Sequence, residues 1–173
     1  MIFSCRHYTK THQPASLNEF SCGGVVAWGD ENAHPRVIMD HYRNPRNKGI
    51  TNAPNYIKCH LKNPSCGDMI DVESLVEDGI IKDIHHDGAG CSICCASASI
   101  MSEVIKGMNV DDAKYLIDNY LKMVSNQEYD TNVDFDELAV FDGVKDLPAR
   151  VRCASISSQA LLNTLKKEDD TNA

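Results

Sequence analysis

Three runs of alternating or β-branched residues near the middle of the chain predict β-strands. In residues 57–61 apolar and polar side chains alternate, as in a strand with one buried face. Residues 69–76 and 80–86 alternate less regularly but are rich in β-branched residues. Glu77-Asp78-Gly79, between the last two runs, is a typical tight-turn sequence. We therefore expect a small antiparallel sheet that includes a hairpin.

The second half of the chain repeats its apolar residues with the period of an α-helix. One such run begins after Cys91 and should end at Gly107, and Asn109 is placed to cap a second helix. A last helical run follows Pro148, and a short helix is expected from Arg36 to the residues before Asn44-Pro45. Strands followed by helices indicate an α+β fold, with a three-stranded antiparallel sheet packed against several helices.

The 173 residues suffice for one domain with flanking segments. Residues 1–34 show no sustained periodicity, so we interpret them as an N-terminal extension that is poorly ordered. The domain spans residues 35–167, and residues 168–173 form a C-terminal tail. Within the domain, residues 126–148 are acidic and irregular. We expect this segment to be a solvated connection with one turn of helix, or alternatively a docking surface for a partner.

The formal charge of −8 argues against nucleic-acid binding, which requires basic surface. No apolar run approaches the roughly 18 residues of a membrane span, and no secretory signal is evident, so a cytoplasmic protein with no membrane association is expected. Eight cysteines are many for such a chain. Because disulfides are rare in a reducing cytosol, metal binding or thiol chemistry is the better interpretation.

Cys66 lies in the sequence NPSCGD, where Gly67 permits a tight turn before Asp68. A thiol and a carboxylate two residues apart around a glycine can bind one metal ion. The motif alone leaves open whether this is a site or a turn with an incidental cysteine.

Two other cysteines stand in settings that favour a thiolate. Cys91 follows a glycine-rich turn at the expected start of a helix, where unpaired amide groups favour negative charge. Cys153 has Arg150 and Arg152 nearby. Cys91 also forms a C-x-x-C pattern with Cys94, which leaves a redox pair or half of a zinc site open. Spacing alone does not join these cysteines into one site.

Four sequence pieces carry a resemblance to a known family: VIMDHYRNPRNKG, NPSCGD, GAGCSICCASASIM and RVRCASIS, in this order. They resemble the IscU/SufU family of iron–sulfur cluster assembly proteins, related to the NifU N-terminal domain, over residues 37–165. The resemblance implies a SufE/NifU/IscU-like fold. It also implies that three cysteines and one aspartate meet at one exposed site, which by motif are Cys66, Asp68, Cys91 and Cys153.

Two features resemble the SufU branch. IscU proteins have histidine before the third cysteine, where this chain has Arg152, and they have a shorter segment between the second and third cysteines. The resemblance therefore implies a Zn²⁺ site and a sulfurtransferase. Cys66 would accept persulfide sulfur from a cysteine desulfurase of the SUF system and pass it to the SUF scaffold complex or another sulfur or cluster acceptor. Arg150 or Arg152 would offset the charge of the metal ligands.

Two other functions remain open at this stage. One is an IscU-like scaffold that binds iron and builds a [2Fe–2S] cluster, because thiolates and a carboxylate also suit iron–sulfur ligation. The other is a zinc-stabilised interaction module without sulfur chemistry.

Several further cysteines and histidines are expected to be outside the site. Cys59, Cys94 and Cys95 are interpreted as small buried residues. At most one of His85 and His86 could face the site, because neighbouring strand residues point to opposite faces. His41 is expected to be a helix-surface or packing residue, and Cys5 and Cys22 lie in the extension.

Overall fold

The structure is a computed structural model that describes residues 33–64 and 66–171. The predicted extension, including Cys5 and Cys22, lies outside the described residues except at residues 33 and 34. The elements, in chain order, are α1 Ala33–Arg43, β1 Ile57–Lys62, β2 Met69–Glu77, β3 Ile80–Ala89, α2 Ser92–Ile105, α3 Val110–Val124, a 3₁₀-helix Asp136–Asp146 and α4 Pro148–Thr171.

The predicted antiparallel sheet is confirmed, with the strand order β1-β2-β3. Burial alternates strictly along β1, as its sequence predicts. Asp78 and Gly79 connect β2 to β3, and both have positive φ angles of 53° and 71°, which suit the tight turn of a hairpin. The pairing of β2 with β3 has a register irregularity between Leu75 and Val76, shortly before this turn.

Two helices cover one face of the sheet. α4 packs across β1 and β2, and α2 packs against β3 and α4. α1, α3 and the 3₁₀-helix form a further layer on these helices. The amide of Asp111 donates to the Asn109 side chain at 2.9 Å, so the predicted cap of α3 is confirmed. The α+β class is therefore the one that the sequence predicts.

The segment 126–148 differs from its predicted form as a solvated connection. It carries the eleven-residue 3₁₀-helix, whose Leu138 and Phe141 are fully buried. Phe141 packs edge-on against Tyr120 of α3 at a ring-centre distance of 6.1 Å. The segment therefore belongs to the core, because its apolar side chains outweigh its acidic composition.

Two helix ends also differ from the sequence-based bounds. α1 begins at Ala33 rather than Arg36, although it ends before Asn44-Pro45 as predicted. α4 remains helical to Thr171, where a tail from residue 168 was expected. No glycine or proline interrupts its last turns, so the backbone has no strong reason to leave the helix earlier. None of the helices in the described part of the chain combines the length and apolar character that a membrane crossing requires.

Candidate metal and thiol site

A closed loop between β1 and β2 presents Cys66. The backbone N–H of Asn63 donates to the backbone carbonyl of Asp68 at 2.8 Å, and the backbone N–H of Gly67 donates to the backbone carbonyl of Asn63 at 2.9 Å. Gly67 has φ of 73°, a conformation that costs glycine little. The loop leaves Cys66 exposed while Asp68 is only 2% exposed.

Asp68 is held in place by groups on both sides. Its Oδ2 accepts a hydrogen bond from Cys66 Sγ at 2.5 Å, and its Oδ1 accepts one from the Cys91 amide at 3.0 Å. Burial acts to raise the pKa of this carboxyl, but hydrogen bonds from Cys66, Cys153, the Cys91 amide and Asn63 outweigh it and lower the pKa. The structure therefore favours an ionised carboxylate inside the protein.

Cys153 lies in the first turns of α4 and is fully buried. Its Sγ is 3.3 Å from that of Cys66. Burial raises the pKa of the Cys153 thiol, and hydrogen bonds with Asp68, Cys66 and Cys91 raise it further. The sequence predicts that Arg150 and Arg152 lower the pKa of the Cys153 thiol. In the metal-free site this pKa is raised, because burial has the largest effect on it.

Cys91 occupies the N-cap position of α2, where its sequence places it. The ligand atoms of Cys66, Asp68 and Cys153 lie within 4.8 Å of one another, and Cys91 is not in this group. Its sulfur nevertheless acts on the Cys153 thiol, whose pKa it raises. The structure thus brings three of the four implied ligands together and places the fourth beside them.

Gly90 allows the strand end to approach the buried carboxylate. A Cβ atom at this position would lie 2.9 Å from Asp68 Oδ1 and 3.1 Å from Cys94 Sγ. Cys94 is 1% exposed, and burial raises the pKa of its thiol. The prediction that Cys94 is a buried small residue is confirmed, whereas Cys95 is only half-buried, with its thiol 3.6 Å from the Gly90 carbonyl.

Asn63 is a site residue that sequence reasoning missed. Its side-chain amide donates to Cys66 Sγ at 2.7 Å, and the residue is 3% exposed. This hydrogen bond holds the sulfur of Cys66 in position next to Asp68. The available signal was the asparagine that opens NPSCGD.

The two arginines differ in their relation to the sulfur atoms. Arg150 is hydrogen-bonded to Cys153, which raises the pKa of the guanidinium, as do the charges of Cys91 and Cys66. Arg152, the residue directly before Cys153, lines a shallow pocket with Asn63 and Gln159. Of the two, Arg150 has the contact with the site that its expected role requires.

His85 and His86, near the Cys91 turn, contact groups outside the cysteine site. His86 is 4% exposed and its Nε2 lies 2.8 Å from the Arg46 carbonyl oxygen. His85 Nε2 lies 3.0 Å from Asp83 Oδ2. Cys59 is partly buried and packs against the core, in agreement with its predicted role. Neither histidine belongs to the group of potential metal ligands around Cys66.

The donor set fits a thiophilic divalent cation. Cys66, Asp68 and Cys153 could hold a metal ion, since two sulfur atoms and a carboxylate converge. The pKa of the Cys153 thiol is raised, chiefly by burial, so its thiolate is unfavourable in the metal-free site. A bound divalent ion would remove this cost.

Comparisons with known proteins agree with this fold. The family model described as NifU-like N terminal domain matches residues 33–154. The chain therefore belongs to this family, the IscU/SufU family of iron–sulfur cluster assembly proteins. The resemblance recognised in the sequence motifs is confirmed.

Two relatives and one solved structure illustrate the match. A protein described as zinc-dependent sulfurtransferase SufU from Bacillus subtilis (strain 168) is 39% identical over 137 residues, or 79% of this chain and 92% of that protein. A protein described as iron-sulfur cluster assembly scaffold protein IscU from Streptococcus pyogenes serotype M1 is 30% identical over 131 residues, or 76% of this chain and 81% of that protein. A structure described as an iron-sulfur cluster assembly scaffold protein for the SUF system from Fervidobacterium islandicum AW-1 has a TM-score of 0.67 at 31% identity, covering 79% of this chain and 99% of that one.

Proposed function

We propose that this protein is a zinc-dependent sulfurtransferase of iron–sulfur cluster assembly. It accepts sulfur on Cys66 from the persulfide of a SUF-type cysteine desulfurase and passes it to a scaffold complex or another acceptor. The observation that carries the proposal is the unequal burial of the donors. Cys66 is exposed, whereas Asp68 and Cys153 are 2% and 0% exposed.

This arrangement suits a site in which one thiol reacts while the others stay in the fold. Purely structural zinc sites are closed to solvent and commonly use cysteine and histidine ligands. Here Cys66 lies on a loop outside the regular elements, so a partner can reach its sulfur without disturbing α2 or α4.

The residues that would hold Zn²⁺ are Cys66, Asp68, Cys91 and Cys153. When bound, the ion would keep the thiols deprotonated and compensate their charge. Arg150 adds a positive group on the solvent side, next to Cys153. This placement supports its assignment as a residue that offsets the negative charge of the ligands.

The proposed transfer is a thiol–persulfide exchange. The Cys66 thiolate attacks the terminal sulfur of the partner's persulfide, and the partner's S–S bond breaks as the new S–S bond forms. The partner's cysteine leaves as a thiolate, so the step needs neither oxidant nor reductant. In the metal-free site, Asp68 Oδ2 accepts a hydrogen bond from Cys66 Sγ at 2.5 Å, which fixes the position of the sulfur that reacts.

The similarity to SufU of Bacillus subtilis supports this function, since that protein is described as a zinc-dependent sulfurtransferase. The similarity to the IscU scaffold of Streptococcus pyogenes favours a second candidate, a scaffold on which a [2Fe–2S] cluster is built. The same donor atoms would then bind the cluster.

One experiment separates the two functions. The protein is purified without added metal, its zinc, iron and sulfide are measured, and its effect on alanine release by the desulfurase is determined. We expect bound zinc and strong stimulation that is lost in Cys66→Ala. Cys95→Ala is the matched control, because Cys95 is also partly exposed but lies outside the donor group, and it should retain stimulation.

Two results would contradict the proposal. Iron and sulfide with visible absorption would favour the scaffold, and bound zinc without stimulation would favour an interaction module.

A further inference from the structure

A second group of potential metal ligands lies away from the cysteines. His41 of α1, Glu103 of α2 and Glu137 of the 3₁₀-helix bring one ligand atom each to within 4.8 Å of one another. Glu103 stands near the opposite end of α2 from Cys91, about 18 Å along a helix that rises ~1.5 Å per residue. The two groups therefore cannot share one ion.

The His41 ring is held in one orientation. The residue is 2% exposed, and its Nδ1 lies 2.8 Å from Ser99 Oγ. The same hydroxyl accepts the Arg46 amide at 2.8 Å. A serine oxygen has two lone pairs, so it can also accept from Nδ1–H of His41. In that tautomer the Nε2 lone pair of His41 is directed at the carboxylates, as in histidine ligands whose other nitrogen donates to a fixed acceptor.

Two carboxylates meet this ring from the solvent side. Glu137 Oε2 lies 3.0 Å from His41 Nε2, and the Glu103 and Glu137 side chains are 46% and 49% exposed. Without an ion, the other tautomer of His41 can donate from Nε2–H to Glu137. This bond leaves two carboxylates within 4.8 Å of each other, and like charges in one small volume repel. Arg46 Nε forms an ion pair with Glu103 Oε2 at 3.7 Å, while the two Nη atoms donate at 2.5 Å to Asp40 and at 2.8 Å to the Asn44 carbonyl. One guanidinium charge is therefore shared between Asp40 and Glu103. A cation between the two glutamates would balance them.

We propose that His41, Glu103 and Glu137 form a second divalent-metal site. One imidazole and two carboxylates suit borderline divalent cations such as Fe²⁺ and Zn²⁺, and they differ from the thiol donors of the first site. The three ligands leave coordination positions for water on the exposed side. A bound ion would also tie the 3₁₀-helix to α1 and α2. The site does not depend on the function proposed for Cys66.

Titration of the full-length, metal-free protein with Co²⁺ tests the proposal. Cobalt bound to thiolates gives an intense charge-transfer absorption, whereas cobalt bound to nitrogen and oxygen gives only weak bands. We expect two equivalents at micromolar concentrations, one with the intense absorption and one without it. Separate equilibrium dialysis against Zn²⁺, and against Fe²⁺ without oxygen, identifies the preferred ion.

The variants Glu103→Gln and Glu137→Gln should each weaken the second equivalent by about tenfold or more and leave the first unchanged. Both side chains are half exposed, so neither change should prevent folding. Glu128→Gln, at an exposed position of the same acidic segment, is the matched control and should retain both equivalents. A single equivalent in the unaltered protein, or a second equivalent that neither variant weakens, would overturn the proposal.

Discussion

The loop that carries Cys66 and the helix that carries Cys153 hold their sulfur atoms in different ways. Cys66 is exposed on a loop between two strands. Cys153 is fully buried on α4, which packs across β1 and β2. Their sulfur atoms are nevertheless 3.3 Å apart. One group of donors thus combines an accessible thiol with one that the core fixes.

This difference indicates separate roles for the exposed sulfur, which can react, and for the buried donors, which hold the metal ion. A change at the loop can expose or withdraw a sulfur without moving the sheet, whereas a change at Cys153 must disturb the packing of α4. We expect Cys66 to react and the buried donors to retain the site. The following predictions challenge that division, beginning with the largest expected effect.

Substitution of Cys91 by serine should remove zinc, whereas the same substitution of its neighbour Cys94 should not. Cys91 stands at the N-cap of α2 beside the donor group, and Cys94 packs under Gly90. Because even outer-shell partners of a metal ligand are worth roughly 10–100-fold in affinity, Cys91→Ser should weaken zinc by on the order of 100-fold or more. Competition with a chelator measures this affinity. Equal loss in Cys94→Ser would restore the C-x-x-C pair as the ligand unit.

A methyl group added at Gly90, next to Asp68, should displace this buried carboxylate and weaken metal binding. In Gly90→Ala the new Cβ would lie 2.9 Å from Asp68 Oδ1, so the carboxylate must move. We expect zinc affinity to fall by roughly 10–100-fold, measured by the same competition. Gly143→Ala is the control, because a Cβ there meets nothing within 4 Å. Unchanged affinity in Gly90→Ala would show that Asp68 does not bind the ion.

Removal of the Asn63 side chain should weaken the hold on Cys66, the exposed donor of the site. Its amide donates to Cys66 Sγ at 2.7 Å, and the variant Asn63→Ala leaves the backbone bonds of the loop in place. Zinc affinity should fall by about tenfold, with the free energy of unfolding of the metal-free protein lowered by about 1 kcal/mol. Chelator competition and urea denaturation give the two values. A loss of stability without a loss of affinity would make Asn63 a purely structural residue.

The smallest effect is expected at the arginines. Arg150 is hydrogen-bonded to Cys153, and Arg152 lines a neighbouring pocket instead. Arg150→Gln should therefore slow sulfur transfer a few-fold, and Arg152→Gln should change it less. Single-turnover transfer from the desulfurase persulfide measures both. The reverse order would mean that position 152, next to Cys153 in sequence, has the functional role.

The sequence predicts the parts of the fold that depend on local chemistry. Asp78-Gly79 predicts the hairpin, and Asn109 predicts the start of α3, because each residue forms the local contact expected of its type. The motifs likewise identify Cys66 and Asp68 before any geometry is known. Their mutual distances could not be predicted, because they depend on how α4 packs on the sheet.

The 3₁₀-helix of the acidic segment is longer and more buried than the single helical turn that the sequence predicts, for a different reason. Three of its buried residues, Leu138, Phe141 and Val144, recur at every third position, which matches three residues per turn rather than the α-helical period. Phe135, directly before the helix, continues this spacing, and Val140 is buried in addition. His41 was similarly undecided, since only the tertiary structure brings it to Ser99 and Glu137.

The location of the transferred sulfur tests the central claim most directly. The zinc-loaded protein is incubated with the desulfurase and cysteine, free thiols are alkylated, and peptides are analysed by mass spectrometry. The division between exposed and buried donors predicts one added sulfur atom on the peptide that contains Cys66, and none on those that contain Cys91 or Cys153. Added sulfur on Cys153 or Cys91 in the unaltered protein, with Cys66 unmodified, would contradict it.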